Sequence, residues 1–312
     1  MRVSKAVIAL ASFGCKATRP GWPECFKSPV IEDIYLPAAP EQAHRILRLD
    51  QIHAQISGNK WFKLRPYLER AKLHDLGILS CGGAWSNHLY ALAAACQLFG
   101  LPGKVLLRGE WPEQPSPVLQ FVKQCQLEVI PISRSDYRLL RDQNHWQALQ
   151  AQYPDSICVP EGGAGEAGVQ GAADIDNWIP DTIRTIALAC GTATTLAGLL
   201  RAAKAHQSLL GVAVLKDADF LRDQVKSVNQ GHPIQAQWEL ETAYHCGGYA
   251  KVSSPLRLFM SEFQALNPQI PIEPIYTGKM LYALNQRCLS GETFEDLLVI
   301  HTGGAYRWNQ DL

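Results

Sequence analysis

A lysine set between a glycine turn and two bulky aromatics can offer an uncharged amine to a carbonyl group. Lys60 has that setting, in the stretch SGNKWFKL at residues 57–64. Gly58 permits a close backbone approach, Asn59 can orient a polar group, and Trp61 with Phe62 drives the following helix toward a core. Desolvation disfavours the ammonium form, lowers the pKa and makes the amine available for Schiff-base chemistry. A lone lysine at a helix start more often points into water, so the case needs further residues. Gly191-Thr192-Ala193-Thr194-Thr195 brings three hydroxyls and several backbone amides to a helix N-terminus, where a phosphate dianion is well satisfied. The ordinary alternative is a capped strand-to-helix turn. It is not a P-loop, because no lysine follows the glycine.

A second polar turn, Gly82-Gly83-Ala84-Trp85-Ser86-Asn87-His88, could suggest a hydrolase through Ser86 and His88. The G-x-S-x-G elbow is absent, and near neighbours on a helix do not face one another. Ser86 and Asn87 read first as helix caps, and His88 as a surface or supporting residue.

The elements that must carry these turns are legible as short apolar runs alternating with helical patterns, the signature of a parallel α/β architecture. Strands are expected at 76–81, 104–108, 127–132, 185–190, 209–215 and 297–302. Helices are expected at 87–99, 117–126, 139–152, 195–206, 218–229 and 255–266. LGILSC runs into GGAWSN and a helix stopped by Gly100; TIALAC runs into GTATT and the helix LAGLLRAAKAH. Both are strand, tight polar turn and helix N-terminus, the arrangement that binds anions through backbone N–H groups. Two such turns suggest one ligand held between two α/β domains.

Composition narrows the function class. The 312 residues carry 29 Lys+Arg against 29 Asp+Glu, a formal net charge of zero, which argues against a nucleic-acid or anionic-membrane partner. The nine cysteines are scattered, without C-x-x-C or metal-ligand spacing, and read as small buried hydrophobes of a reducing cytoplasm. The N-terminal MRVSKAVIALASFGCKA imitates a weak signal peptide, but its apolar stretch is short; residues 1–27 read as an extension. No segment approaches the roughly 20 apolar residues of a membrane span.

Taken in order, LRLDQIHAQISGNKWFKL, LSCGGAWSNHLYALAAA, PEGGAGEAGVQGA, ACGTATTLAGL, PIYTGKM and HTGG resemble the 1-aminocyclopropane-1-carboxylate (ACC) deaminase/D-cysteine desulfhydrase family of fold-type-II pyridoxal-phosphate (PLP) enzymes. The stretches span about residues 28 to 307, and the ordered set is specific where no single one is. The resemblance implies two open, twisted, parallel-sheet α/β domains with the PLP site in the cleft. Residues 1–64 and 171–312 would form the larger domain, and 65–170 a smaller inserted one. It implies Lys60 as the Schiff-base lysine, Asn87 on the PLP 3′-oxygen, and Gly191, Thr192, Ala193, Thr194, Thr195 and Leu196 around the phosphate. Ser86 would touch substrate or move a proton, with Asn87 and His88 receiving the substrate carboxylate. Tyr249 and Tyr276 look like a pair of active-site tyrosines, and a homodimer is expected from the same resemblance.

The chain departs from the family in three places. Ala193-Thr194 stands where a glycine pair is usual, EGGAGEAG lacks the Ser/Thr-Asn that normally follows its two glycines, and HTGG continues only as AYRWNQDL. Two threonines bear on the substrate. ACC deaminases place a glutamate after the active-site tyrosine and a leucine between His and Gly-Gly; here those positions are Thr277 and Thr302, as in the desulfhydrase branch. The expected reaction is conversion of D-cysteine to pyruvate, sulfide and ammonia. ACC deamination to 2-oxobutanoate is the alternative, and a PLP- or metabolite-binding protein without turnover is a third reading.

Overall fold

The computed structural model describes residues 17–19, 22–304 and 306. The N-terminal extension lies mostly outside the described residues, as does most of the tail after Gly304. A short ribbon pairs β1 (Ala17–Arg19) with β2 (Trp22–Pro23), and an antiparallel hairpin follows from β3 (Ile31–Leu36) and β4 (Ala39–Arg48). Then come β5 (Gly77–Gly82), β6 (Gly103–Arg108), β7 (Glu128–Ile132) and β8 (Ser156–Val159). The remaining strands are β9 (Thr185–Cys190), β10 (Ser208–Ala213), β11 (Gln237–Glu241) and β12 (Leu297–His301).

These elements belong to two units. The first comprises Lys60–Gly171 with His53–Ile56 and the described residues up to Ser28. Its sheet is parallel throughout, in the order β7-β6-β5-β8. The second comprises Pro29–Ile52, Ser57–Asn59 and the described residues from Ala172 onward. Its sheet runs β11-β10-β9-β12-β4-β3, parallel except for the β3–β4 hairpin at one edge.

All six expected strands are present, and those covered on both faces read as continuous apolar runs. Every residue of β5 and β12 is buried. The strands that escape sequence reading have the opposite character. β4 begins with the polar APEQ, β8 is four residues long, and β11 is an edge strand whose exposure alternates. The expected helix at 139–152 is two helices, Arg134–Leu139 and Gln143–Gln152. The break comes at Asp142, whose carboxylate accepts from the Asn144 N–H and starts the second helix. Asn87–Phe99 is a helix as expected, capped by Ser86 and ended by Gly100 in the left-handed conformation.

Each unit has its own packing. In the first, Trp61 and Phe62 from the helix Asn59–His74 are almost wholly buried, in an aromatic cluster with Trp22, Phe26 and Phe99. In the second, Ile46, Ala187, Val212 and Val299 of the sheet pack against Phe259 and Phe263 of the helix Ser254–Leu266 and Met280 and Leu284 of the helix Thr277–Leu289. Among the described residues no helix is long and apolar enough to cross a membrane. Nor does any group of three or more His, Cys, Asp or Glu side chains stand ready to hold a metal ion.

One charge cluster is built into the second unit where β4 ends. Arg48, 2% exposed, grips Asp50 with two bonds (Nε to Oδ1 2.9 Å, Nη2 to Oδ2 2.8 Å) and also donates to Glu32 on β3. Removing one partner of a buried pair leaves the other charge desolvated and uncompensated. Arg48→Met should therefore lower the unfolding free energy by about 3–5 kcal/mol, measured by urea denaturation. Loss of under about 1 kcal/mol, the worth of a surface pair, would show that this cluster does not secure the strand end.

Candidate functional site

In the second unit, β9 delivers the chain to Gly191, and the helix Thr194–Ala202 starts three residues later. Ala193 takes the left-handed conformation (φ 53°) and no side chain caps the helix. The loop therefore has a backbone shape that glycine adopts without strain, at the position where the chain departs from a glycine. The first-turn amides of a helix have no intrahelical acceptor, so here they are available to an anion. Thr192 and Thr194 share a hydroxyl–hydroxyl bond of 3.0 Å, and Thr195 Oγ1 accepts from Asn59 Nδ2 at 2.8 Å. A Cβ on Gly191 would come within 3.1 Å of the Tyr276 ring, so the missing side chain is what admits that ring against the loop.

Tyr276 and Thr277 are placed by a residue that sequence reading passed over. Glu273 is fully buried, and its carboxylate accepts from the N–H groups of Ile275 (2.6 Å), Tyr276 (2.9 Å) and Thr277 (2.6 Å). Burial pushes its carboxyl above the usual range, and the three amides oppose that shift by stabilising the charged form. The clue was an acidic residue immediately before the Pro-Ile-Tyr turn into a helix, a position suited to an N-terminal carboxylate. Thr277 is itself fully buried, and its Oγ1 has no hydrogen-bond partner. Two residues along, Lys279 is buried and donates to the Gly248 carbonyl at 2.6 Å, fixing the residue before Tyr249. Its ammonium is disfavoured by burial. The Tyr249 and Tyr276 rings meet edge to face, 6.1 Å apart at 71°.

Thr302 enters through its backbone. Its carbonyl accepts from the Asn59 N–H at 3.1 Å, and a Cβ on Gly58, where φ is 68°, would lie 2.0 Å from that oxygen. Only glycine fits that crossing. His301 supports the same turn: Nε2 donates to the Pro271 carbonyl at 2.8 Å, and Nδ1 accepts from the Gly303 N–H.

In the first unit, Lys60 is the second residue of the helix Asn59–His74 and is partly exposed, while Lys63, one turn on, is buried. Ser86 Oγ accepts from the Leu89 N–H, which confirms the cap, and Asn87 is buried at the first position of its helix. His88 points inward rather than to the surface. Its Nε2 lies 2.8 Å from Ser80 Oγ, and Ser80 spends its single proton on the Val159 carbonyl. His88 must then donate from Nε2, which leaves Nδ1 a bare acceptor, buried and without a partner. Burial is the largest reason the His88 pKa falls, to about 3, with the charges of Lys63 and then Lys60 adding to it. Ser80 lies on β5, eight residues before His88, and no local sequence signal marks such a pair.

These residues fit pyridoxal phosphate on two counts. An uncapped helix N-terminus with three threonines suits a phosphate, and the unpartnered Thr277 hydroxyl suits a heteroaromatic nitrogen. Lys60, Ser86, Asn87 and His88 share one unit, while Gly191 to Leu196, Tyr249, Tyr276, Thr277 and Thr302 share the other.

The buried neutral His88 makes folding pH-dependent. Its folded pKa lies below the ordinary 6.5, so the unfolded chain binds a proton that the folded chain refuses between about pH 6.5 and 3. Stability present above pH 6.5 should thus fall as the pH drops through that window. In His88→Gln, denaturation midpoints measured across the window should fall less steeply than in the wild type. Parallel curves would place the acid sensitivity elsewhere.

No family model matches the chain. It is 26% identical over 303 residues to the bifunctional D-cysteine desulfhydrase/1-aminocyclopropane-1-carboxylate deaminase, mitochondrial, of Arabidopsis thaliana, covering 86% of this chain and 74% of that protein. A putative 1-aminocyclopropane-1-carboxylate deaminase of Pyrococcus abyssi is 24% identical over 266 residues, 80% of each chain. A D-cysteine desulfhydrase of Yersinia pestis is 26% identical over 286 residues, 83% of this chain and 86% of that one. Among solved structures, an ACC deaminase homologue shares the fold with a TM-score of 0.77 and 23% identity, over 96% of this chain and 95% of its own. Threonine deaminase isoform 2 of Solanum lycopersicum shares it at a TM-score of 0.61 and 13% identity, over 99% and 91%. The chain is thus a relative of the ACC deaminases and D-cysteine desulfhydrases, built on the fold of the fold-type-II pyridoxal-phosphate enzymes.

Proposed function

We propose that this protein is a pyridoxal-phosphate lyase that eliminates the β-substituent of a small amino acid, with D-cysteine as its substrate. The observation that carries the choice is Thr277, a fully buried hydroxyl without a partner at a helix start clamped by Glu273. When bound, pyridoxal phosphate supplies the electron sink that stabilises negative charge at the substrate α-carbon. By the family resemblance, Gly191 to Leu196 would hold its phosphate, Asn87 its 3′-oxygen, Thr277 its ring nitrogen and Lys60 its carbonyl carbon, with Thr302 supporting the ring.

Freed once the amino group of the substrate takes its place, the amine of Lys60 would take the α-proton of D-cysteine, aided by Ser86. Asn87 receives the substrate carboxylate, with His88 behind it. Tyr249 and Tyr276 line the sulfur end and manage the proton that leaves with it. The Cβ–S bond breaks, sulfur departs as hydrogen sulfide, and the enamine left behind takes up water to give pyruvate and ammonia. A neutral threonine offers the ring nitrogen only a hydrogen bond, where a carboxylate would favour its protonation. Expelling a thiolate demands less charge delocalisation than opening a carbon ring, and the neutral partner is adequate for it. The names of several relatives favour a second reading, ACC deamination to 2-oxobutanoate. The reading also includes a homodimer.

The purified protein should be yellow, and borohydride should fix the label on Lys60. Lys60→Ala should lower turnover by about 10²–10⁴-fold. Labelling of Lys63 instead would sink the assignment. D-cysteine should yield sulfide and pyruvate, β-chloro-D-alanine chloride and pyruvate, and ACC little 2-oxobutanoate. Thr277→Glu combined with Thr302→Leu should shift activity toward ACC. Efficient ACC turnover by the wild type, with none on D-cysteine, would favour the second reading.

A further inference from the structure

We infer that Asn59 is a positioning residue for phosphate recognition: its side-chain amide fixes the Thr195 hydroxyl so that the hydroxyl's proton is left for the bound anion. The inference rests on the pyridoxal-phosphate reading and extends it to a residue that touches neither the phosphate nor the reacting atoms.

A hydroxyl has one proton and two lone pairs, and whether it greets an anion as donor depends on what else it faces. Asn59 Nδ2 donates to Thr195 Oγ1 at 2.8 Å, with Asn59 7% and Thr195 4% exposed. That bond occupies a lone pair and leaves the proton, which has no acceptor among the described residues of the unit. Thr195 is the second residue of the helix Thr194–Ala202, whose first turn no side chain caps. The proton therefore belongs to the same donor set as the first-turn amides.

The amide is held as firmly as the hydroxyl it directs. The Asn59 N–H is bonded to the Thr302 carbonyl, and the preceding Gly58 lies so close to that carbonyl that no other residue fits. Thr195 is β-branched, with few χ1 choices in a helix. Without the amide, a threonine hydroxyl in this position can turn its proton to a nearby backbone carbonyl, and an arriving phosphate must then turn it back. Asn59 removes that competition before the ligand arrives.

The test uses the full chain stripped of cofactor, with pyridoxal phosphate, pyridoxal and inorganic phosphate as separate probes in titration calorimetry. Asn59→Ala should weaken pyridoxal phosphate and inorganic phosphate by about tenfold, the worth of one hydrogen bond to a charged group, and leave pyridoxal unchanged. Asn59→Asp should do worse, by about a hundredfold or more, since its carboxylate captures the Thr195 proton and repels the dianion. Because Asn59 acts through Thr195, Asn59→Ala should add nothing in a Thr195→Val background. Full additivity, equal losses for pyridoxal and pyridoxal phosphate, or wild-type affinity in Asn59→Ala would each overturn the inference. If Asn59→Ala fails to fold, Thr195→Val against Thr195→Ser decides. A selective phosphate loss in valine alone supports the bond, and no loss overturns it. A wild-type protein that takes up neither pyridoxal phosphate nor phosphate would overturn the functional reading itself, a result distinct from the others.

Discussion

The second unit depends on one backbone crossing, at which Gly58 lies against the Thr302 carbonyl and the Asn59 N–H is bonded to it. Three segments far apart in sequence meet there: the turn before the first long helix, the end of β12, and, through the Asn59 side chain, the first turn of the helix after β9. A side chain at residue 58 would collide with backbone, which cannot move aside as a flexible side chain can. The constraint is steric first and hydrogen-bonded second. It also fixes where Lys60 begins, since Lys60 is joined to Asn59 by a peptide bond and consecutive Cα atoms are about 3.8 Å apart.

Around this crossing, buried titratable groups serve to hold backbone. Glu273 spends its carboxylate on three consecutive amides, and Lys279 spends its ammonium on the Gly248 carbonyl. Each is a charge-assisted bond, stronger than one between neutral groups, and each acts beside a residue of the candidate site. The division of labour is physical. Charges shifted by burial are committed to the scaffold, while Thr192, Thr194, Thr195 and Thr277 face the proposed ligand as hydroxyls. His88 fits the same scheme: uncharged, bonded to Ser80, and close enough to Lys60 and Lys63 to feel both.

What could be read from the chain alone follows from how each feature is encoded. β5, β9 and β12 were legible because burial on both faces leaves an unbroken apolar run, and Ser86 with Gly100 because caps are local chemistry. The hairpin of β3 and β4 was not. Its polar beginning carries no run, and its pairing is set by packing against the helices around Phe263 and Met280. Glu273 was partly legible, since its partners lie within four residues. The Ser80–His88 and Asn59–Thr195 bonds, 8 and 136 residues apart in sequence, had no signal. Long-range polar bonds are decided by the fold, and a sequence scan sees only their ends.

The departure at Ala193 shows how a local rule and a site requirement can conflict. A left-handed alanine costs on the order of 1–2 kcal/mol relative to a relaxed backbone, and glycine would remove that cost. Glycine would also enlarge the freedom of the unfolded chain and of the loop, and part of the gain would be lost. The neighbours suggest how the strained alanine is held. Thr192 and Thr194 bond to each other across it, and the Tyr276 ring closes over Gly191 two residues before it. The proposed phosphate seat would need its amides to converge before the anion arrives, because ordering them on binding would subtract from affinity. A stiffer residue at the turn, braced on both sides, meets that need in a way a more mobile glycine would not. The loop's rigidity and its strain are therefore two consequences of the same choice of residue.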